Sequence, residues 1–244
     1  MKRVFADLHL RLHTKDLINV ERIITKVSEL GYDLIAVPFT FETQEKEIIN
    51  FRKICDNVKI DFSSRVDLIP KSRNQLMFLL RKLRRKFEIV CVVCENKEIA
   101  RQAAKDRRVD LINFASLNYR NRFFDWAEAE LAHNSLAALE IDFKPLLMLE
   151  GPARVRLLST LRREISIAKE FHVPIVVSSG VEKEMLLRKP REIAAFVSLL
   201  DLNENQALDA VSTNPAGIVL RNREKLSHGF VAPGIRVVKE GHDC

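Results

Sequence analysis

The stretch Asp7-Leu8-His9-Leu10-Arg11-Leu12-His13 ends the first apolar run of the chain and places a polar side chain at every second position. Extended geometry through it sends Asp7, His9, Arg11 and His13 to one side and Leu8, Leu10 and Leu12 to the other. In a barrel of alternating strands and helices the polar side lines the mouth, the end at which such folds carry chemistry. A carboxylate and two imidazoles are metal-ligand types, but a cation, Arg11, stands among them.

Outward from this row, short apolar runs alternate with amphipathic stretches. The runs at 4–8, 33–38, 58–63, 88–93, 109–114, 138–143 and 173–178 read as strands. Several are almost continuously apolar, as parallel strands covered on both faces are. Between them, 16–30 repeats Leu17, Val20, Ile23, Ile24, Val27 and Leu30 at helical spacing and stops at Gly31. This is the pattern of a capped helix with one buried stripe. Residues 74–86 and 152–171 repeat the pattern, the latter with Pro near its first turn.

Strand recurrence matches the length of a βα unit. After the seventh strand the pattern changes to three consecutive helices, 190–200, 203–212 and 215–225, and the only late strand candidate is 235–238. The expected fold is α/β: a distorted (β/α) TIM-like barrel with seven clear strands and extra C-terminal helices. A doubly wound open sheet permits the same alternation. With no composition break along its length, 1–244 reads as a single TIM-like domain.

The 244 residues are 47% hydrophobic and 30% charged, with a formal net charge of +7. That excess permits a polyanionic partner. Only seven glycines occur, and neither a Gly-x-Gly-x-x-Gly nor a phosphate-loop motif is among them, so nucleotide binding lacks its usual support. Four cysteines, Cys55, Cys91, Cys94 and Cys244, are too few for a disulfide framework and favour a reducing compartment. Cys91 and Cys94 form a Cys-x-x-Cys match inside an apolar run, where they read as small buried residues. Met1-Lys2-Arg3 leads straight into a strand without a signal-peptide pattern, and no window approaches the ~20 apolar residues of a membrane span. The chain reads as soluble and cytoplasmic, with no membrane partner.

Three constellations are candidates for function. The first is the opening row. Metal-dependent phosphoesterases of the polymerase-and-histidinol-phosphatase type open with Asp-x-His-x-His, whose imidazoles and carboxylates hold water-activating metals. Here Asp7 and His9 match, but Arg11 stands at the second histidine position. A guanidinium does not ligate and repels a divalent cation. His13 lies about 6–7 Å further along an extended strand. The alternatives are a phosphoesterase using Asp7, His9 and His13, or a hydrogen-bonded polar cluster that Arg11 makes attractive to phosphate. The second constellation collects polar residues at strand ends: Ser116, Asn118 and Tyr119, then Lys144, then Ser178-Ser179-Gly180. The third is basic: Arg81-Lys82-Leu83-Arg84-Arg85-Lys86, Tyr119-Arg120-Asn121-Arg122-Phe123-Phe124, Arg188-Lys189-Pro190-Arg191 and Arg221-Asn222-Arg223-Glu224-Lys225. Such runs reach phosphate oxygens and stack on unpaired bases, or simply cap helix ends and face water.

Taken in order, several stretches resemble one family. Phe5-Ala6-Asp7-Leu8-His9-Leu10-Arg11 and Leu30-Gly31-Tyr32-Asp33-Leu34-Ile35-Ala36-Val37 resemble the opening of ribonuclease P protein component 3. Glu140-Ile141-Asp142-Phe143-Lys144-Pro145-Leu146 and Val173-Pro174-Ile175-Val176-Val177-Ser178-Ser179 resemble its sixth and seventh strands. Ala210-Val211-Ser212-Thr213-Asn214-Pro215, before a basic helix, is the most specific stretch.

The resemblance implies a distorted barrel related to the metal phosphoesterases with their metal site eroded, in line with Arg11. It implies a subunit of an endoribonuclease that removes the 5′ leader from precursor tRNA. Magnesium ions on the RNA subunit do the cleavage, so this chain carries no catalytic residue, metal or cofactor of its own. The implied partners are ribonuclease P RNA, protein component 2 and, through the holoenzyme, precursor tRNA; a dimer of heterodimers is compatible. Arg11, Arg120, Arg122, Lys144, Arg188 and Arg191 are the RNA-contact candidates by position and charge. Asp7, His9, Ser178 and Ser179 form the expected polar cluster at the barrel mouth. The compact length, without acidic or repetitive extensions, favours an archaeal cytoplasmic setting.

Overall fold

The computed structural model describes residues 3–12, 14, 16–114, 122–232 and 235–237. Its strands are β1 (Ala6–Asp7), β2 (Leu34–Phe39), β3 (Asp61–Leu68), β4 (Ile89–Val93), β5 (Leu111–Asn113), β6 (Ala138–Asp142) and β7 (Ile175–Ser178). They lie side by side in chain order, every pairing parallel. The helices between them are α1 (Leu17–Glu29), α2 (Glu45–Val58), α3 (Arg73–Leu83), α4 (Lys97–Lys105), α5 (Trp126–Ser135), α6 (Lys144–Met148) and α7 (Gly151–Glu170). Beyond β7 come α8 (Pro190–Val197), α9 (Glu204–Ala210) and α10 (Thr213–Leu226).

Local chemistry sets these elements. The Asp16 side chain accepts from the Asn19 amide and starts α1, whose Val20, Ile23, Ile24 and Val27 are buried. Such a cap is worth about 1 kcal/mol. Ser72 and Asn96 cap α3 and α4 in the same way, and Asp125 forms a capping box with Glu128 at α5. Alternation divides each strand between two apolar environments. Val90, Val92, Ile112, Leu139 and Ile141 pack outward under the helices. Ala6, Leu34, Ala36, Ile89, Cys91, Leu111, Ala138 and Val176 point into the bore, where Ile218 and Val219 of α10 plug its amino-terminal end. Cys55, Cys91 and Cys94 are free and buried.

The barrel closes without an eighth strand among the described residues. Past the ends of β1 and β7 the chain itself forms the seam: Gly180 N–H donates to the His9 carbonyl at 2.9 Å, and Arg11 N–H to the Val181 carbonyl at 2.9 Å. At the opposite end the Ala6 N–H donates to the Val211 carbonyl at 3.0 Å. The late run expected at 235–238 supplies β9 (Ile235–Arg236), antiparallel to β8 (Phe230–Ala232) in a separate hairpin.

Two expectations are corrected. The polar row does not run along one strand face, because β1 ends at Asp7. The third strand starts at Asp61 rather than 58, since Val58 is the last residue of α2 and Lys59 turns the chain at φ 60°. The apolar run there spans a helix end and a strand start.

Candidate functional site

The carboxy-terminal half of the bore holds a buried cluster of charges. Arg65, on β3, is fully buried and forms a two-pronged ion pair with Glu140 on β6, at 2.6 and 2.7 Å. Its remaining donors reach Asp67 at 2.6 Å and the Leu8 carbonyl at 2.7 Å. Glu140 also accepts from Asn113 and Ser178, each at 2.7 Å. A two-pronged guanidinium–carboxylate pair fixes both groups in one plane. Burial opposes the charge on Arg65, but Asp67 and Glu140 keep its proton bound more tightly than usual.

His9 lies above this pair. Its Nδ1 is 2.7 Å from Asp142 Oδ1 on β6, and its Nε2 is 3.1 Å from Asp67 Oδ2. Burial and the Arg65 charge lower the imidazole pKa; the carboxylates of Asp142 and Asp67 outweigh them and raise it to about 9. The ring at neutral pH is therefore imidazolium, donating from both nitrogens. Arg11 Nε is also 2.9 Å from Nε2. A protonated ring offers it no acceptor, so Arg11 is a neighbouring cation, held by Asp142 at 4.0 Å. Despite burial, Arg65 and His9 hold the Asp67 carboxyl below the usual carboxylate range, and His9 does the same for Asp142. Gly180 makes room for this: a Cβ there, at φ +65°, would meet the Asp142 carboxyl carbon at 2.9 Å.

Asp7 ties the seam together. Its Oδ1 accepts from the His9 amide at 3.1 Å and the Ser179 amide at 2.9 Å. Its Oδ2 is buried with no hydrogen-bond partner among the described residues. Burial raises its pKa against those N–H groups.

Asp7, His9, Ser178 and Ser179 thus lie together at the mouth. Among the described residues, the expected RNA-contact residues are dispersed around the barrel. Arg11 is on the rim, with 36% of its side chain exposed. The buried guanidinium is Arg65, which the displaced reading of the third strand hid. Lys144 begins α6 at the rim and donates to Glu182 at 2.9 Å. Arg122 is no surface cation: it is buried, pairs with buried Glu164 at 2.6 and 2.9 Å and donates to the Phe114 carbonyl. Arg188 and Arg191 sit at the other end of the barrel. The Arg188 carbonyl accepts from the Tyr32 hydroxyl, just before β2, and Arg191 stacks over Phe5, just before β1. Arg120 and His13 lie outside the described residues.

The donors of His9, Glu140 and Asp142 come within 4.8 Å of one another, the spacing of a metal site. The set does not fit a divalent ion as built. Both Glu140 oxygens face Arg65, and Asp142 faces His9. A fixed cation inside the bore adds repulsion to that loss of ligands. Arg65, Asp67, Asn113, Glu140 and Asp142 escaped notice as site residues in the sequence. Their signal is polar residues two apart, Arg65/Asp67 and Glu140/Asp142, in otherwise apolar strands.

A TIM-like α/β barrel with its bore neutralised from within is the class of protein these features define. The chain belongs to the RNase P subunit p30 family, whose model matches residues 4–227. Ribonuclease P protein component 3 of Methanosarcina barkeri is 33% identical over 179 residues, covering 72% of each chain. That of Methanocaldococcus jannaschii is 30% identical over 184 residues, 75% of this chain and 79% of the relative. A chain from a cryo-EM structure of archaeal ribonuclease P with mature tRNA shares the fold at TM-score 0.85 and 24% identity, over 97% of this chain and 100% of that one.

Proposed function

We propose that this chain acts in ribonuclease P as an RNA-binding structural subunit, stabilising the catalytic RNA for removal of the 5′ leader from precursor tRNA. The observation that carries this reading is the buried Arg65–Glu140 pair. It fills with a side-chain cation the place where a barrel phosphoesterase needs open metal ligands. The chemistry then belongs to the RNA and its magnesium ions. Arg11 and Lys144 are rim candidates for phosphate contact, and Arg120 joins them by its place in the sequence. Protein component 2 is the proposed protein partner, with assembly into a dimer of heterodimers. The proposed setting is the cytoplasm; among the described residues no helix is long and apolar enough to cross a membrane.

Reconstitution of precursor-tRNA cleavage, with and without this chain, tests the proposal. Addition of the chain to the RNA subunit and component 2 is expected to raise cleavage and lower its magnesium requirement. The phosphoesterase reading rests on the His9, Glu140 and Asp142 grouping. Two or more tightly bound metal ions per chain, with phosphatase activity lost in His9→Ala, would establish it and overturn the scaffold.

A further inference from the structure

The amino-terminal end of the barrel gathers cations from three separate parts of the chain. Helix α3 ends at Leu83, and Arg84, Arg85 and Lys86 follow it. Helix α4 ends at Lys105, and Arg107 and Arg108 follow. Helix α10 lies across this end and contributes Arg221 and Lys225. Hydrogen bonds hold the three groups together. Arg84 reaches the Arg108 carbonyl at 3.4 Å, and Arg84 and Arg221 converge on the carboxylate of Asp110, just before β5. Arg221 also reaches the Leu136 carbonyl at 3.2 Å.

Asp106 pairs with Arg108 at 2.6 Å and Asp110 with Arg84 and Arg221, which leaves the rest of the group without a carboxylate among the described residues. Arg85, Lys86, Lys105 and Arg107 are exposed and form no ion pair among the described residues. Exposed cations without an ion pair among the described residues occur elsewhere too, as at Lys46, Lys53 and Arg163, beside pairs such as Lys71–Glu95 and Arg236–Glu224; this end differs in bringing cations from three parts of the chain together. Burial and the charges of Arg221, Arg84 and Arg107 push the Lys225 ammonium below its usual pKa, against the pull of Asp110. Cations at a helix end complement its dipole. That accounts for Arg84, Lys105 and Lys225, each at a helix end, but not for Arg221 or for three such ends meeting around Asp110. A surface that holds like charges together awaits an anion of matching spacing, and a nucleic-acid backbone presents one phosphate after another.

We infer that the amino-terminal face of the barrel, built by the residues following α3 and α4 together with Arg221 and Lys225 of α10, grips the RNA backbone. This inference rests on the RNA-binding function proposed above and locates a contact surface at the end opposite the charged mouth. Guanidinium and ammonium groups reach phosphate oxygens without reading bases, so the contact is one of position rather than sequence.

The test combines Arg85→Gln, Lys86→Gln and Arg107→Gln in the full chain. The control combines Lys46→Gln, Lys53→Gln and Arg163→Gln, three exposed cations on the helical mantle. Binding to ribonuclease P RNA is measured across a salt series, with component 2 present. The first triple variant should bind roughly tenfold or more weakly at low salt, with a log–log salt slope shallower by about two. Its thermal transition should match that of the unaltered chain, as should RNA binding by the control. Unchanged RNA binding by the first variant, with the unaltered chain binding, overturns this surface and leaves the function standing. Retained RNA binding with lost component 2 binding makes the face a protein-docking surface and overturns the inference. If the unaltered chain binds no RNA, the proposed function falls and the inference with it.

Discussion

At the amino-terminal end of the bore, Ile218 and Val219 meet Ala6, Leu34, Ile89 and Leu111. A second layer, toward the carboxy-terminal end of the bore, carries Arg65, Asn113 and Glu140 from β3, β5 and β6. The lower layer is held by burial alone, worth about 1.5–3 kcal/mol for a large apolar side chain. The upper layer takes charges out of water and recovers the cost only because each group meets a partner with good geometry. The lower layer therefore tolerates change by degrees. The upper layer fails when any one member is lost. This charged layer lies at the end where barrels of this kind carry chemistry, and its own side chains fill it.

This contrast is open to attack. Arg65→Met leaves Glu140 and Asp67 buried without their cation and should cost about 3–5 kcal/mol in urea unfolding. Arg65→Met combined with Glu140→Leu should recover part of that loss. A penalty near zero for the single change would erase the distinction between the layers. Leu8→Ala, in the apolar layer, should cost about 3 kcal/mol through its cavity, and that cost should not vary with pH. Arg122→Gln breaks a buried pair outside the bore and should cost less, about 2 kcal/mol. Burial already raises the pKa of Glu164 against the pull of Arg122, so the acid can take up a proton when its partner goes.

The last effect is a slope rather than a single loss. His9 has a folded-state pKa raised from 6.5 to about 9. Its contribution is full below pH 6.5 and fades as pH climbs through 9, at up to about 1.4 kcal/mol per pH unit between. Asp67 and Asp142, both depressed, act in the opposite sense, and their contribution is lost as pH falls through the acidic range. Urea unfolding from pH 6 to 9 should show the decline, and His9→Gln should flatten it. An equal slope in both proteins would remove His9 from the charged layer.

Much of the architecture was legible because its signals are local. Caps such as Asp16, the stripe of α1 and the apolar β4 announce themselves within a few residues. The third strand was not, because Val58, Ile60 and Phe62 alternate across a helix end and a strand start. That displacement hid Arg65 and Asp67. Asp7, His9, Ser178 and Ser179 stood out as polar residues after apolar runs. The partners of Glu140 did not, since a pairing between β3 and β6 is a property of closure that no window of sequence contains. Arg122 looked like a surface cation for the same reason: its partner, Glu164, is far away in the chain.

The seam has a consequence for synthesis. The free edge of residues 6–11 is sealed by Gly180 and Val181 at one end and by Val211 at the other. During translation the first strand emerges well before residues 180–211, which cover its free edge. Until then a nascent chain presents unpaired backbone and apolar surface, the features that invite misassembly. A ribosome stalled before residue 211 should thus hold a species readily captured by a chaperone, and release of the next stretch should end that capture.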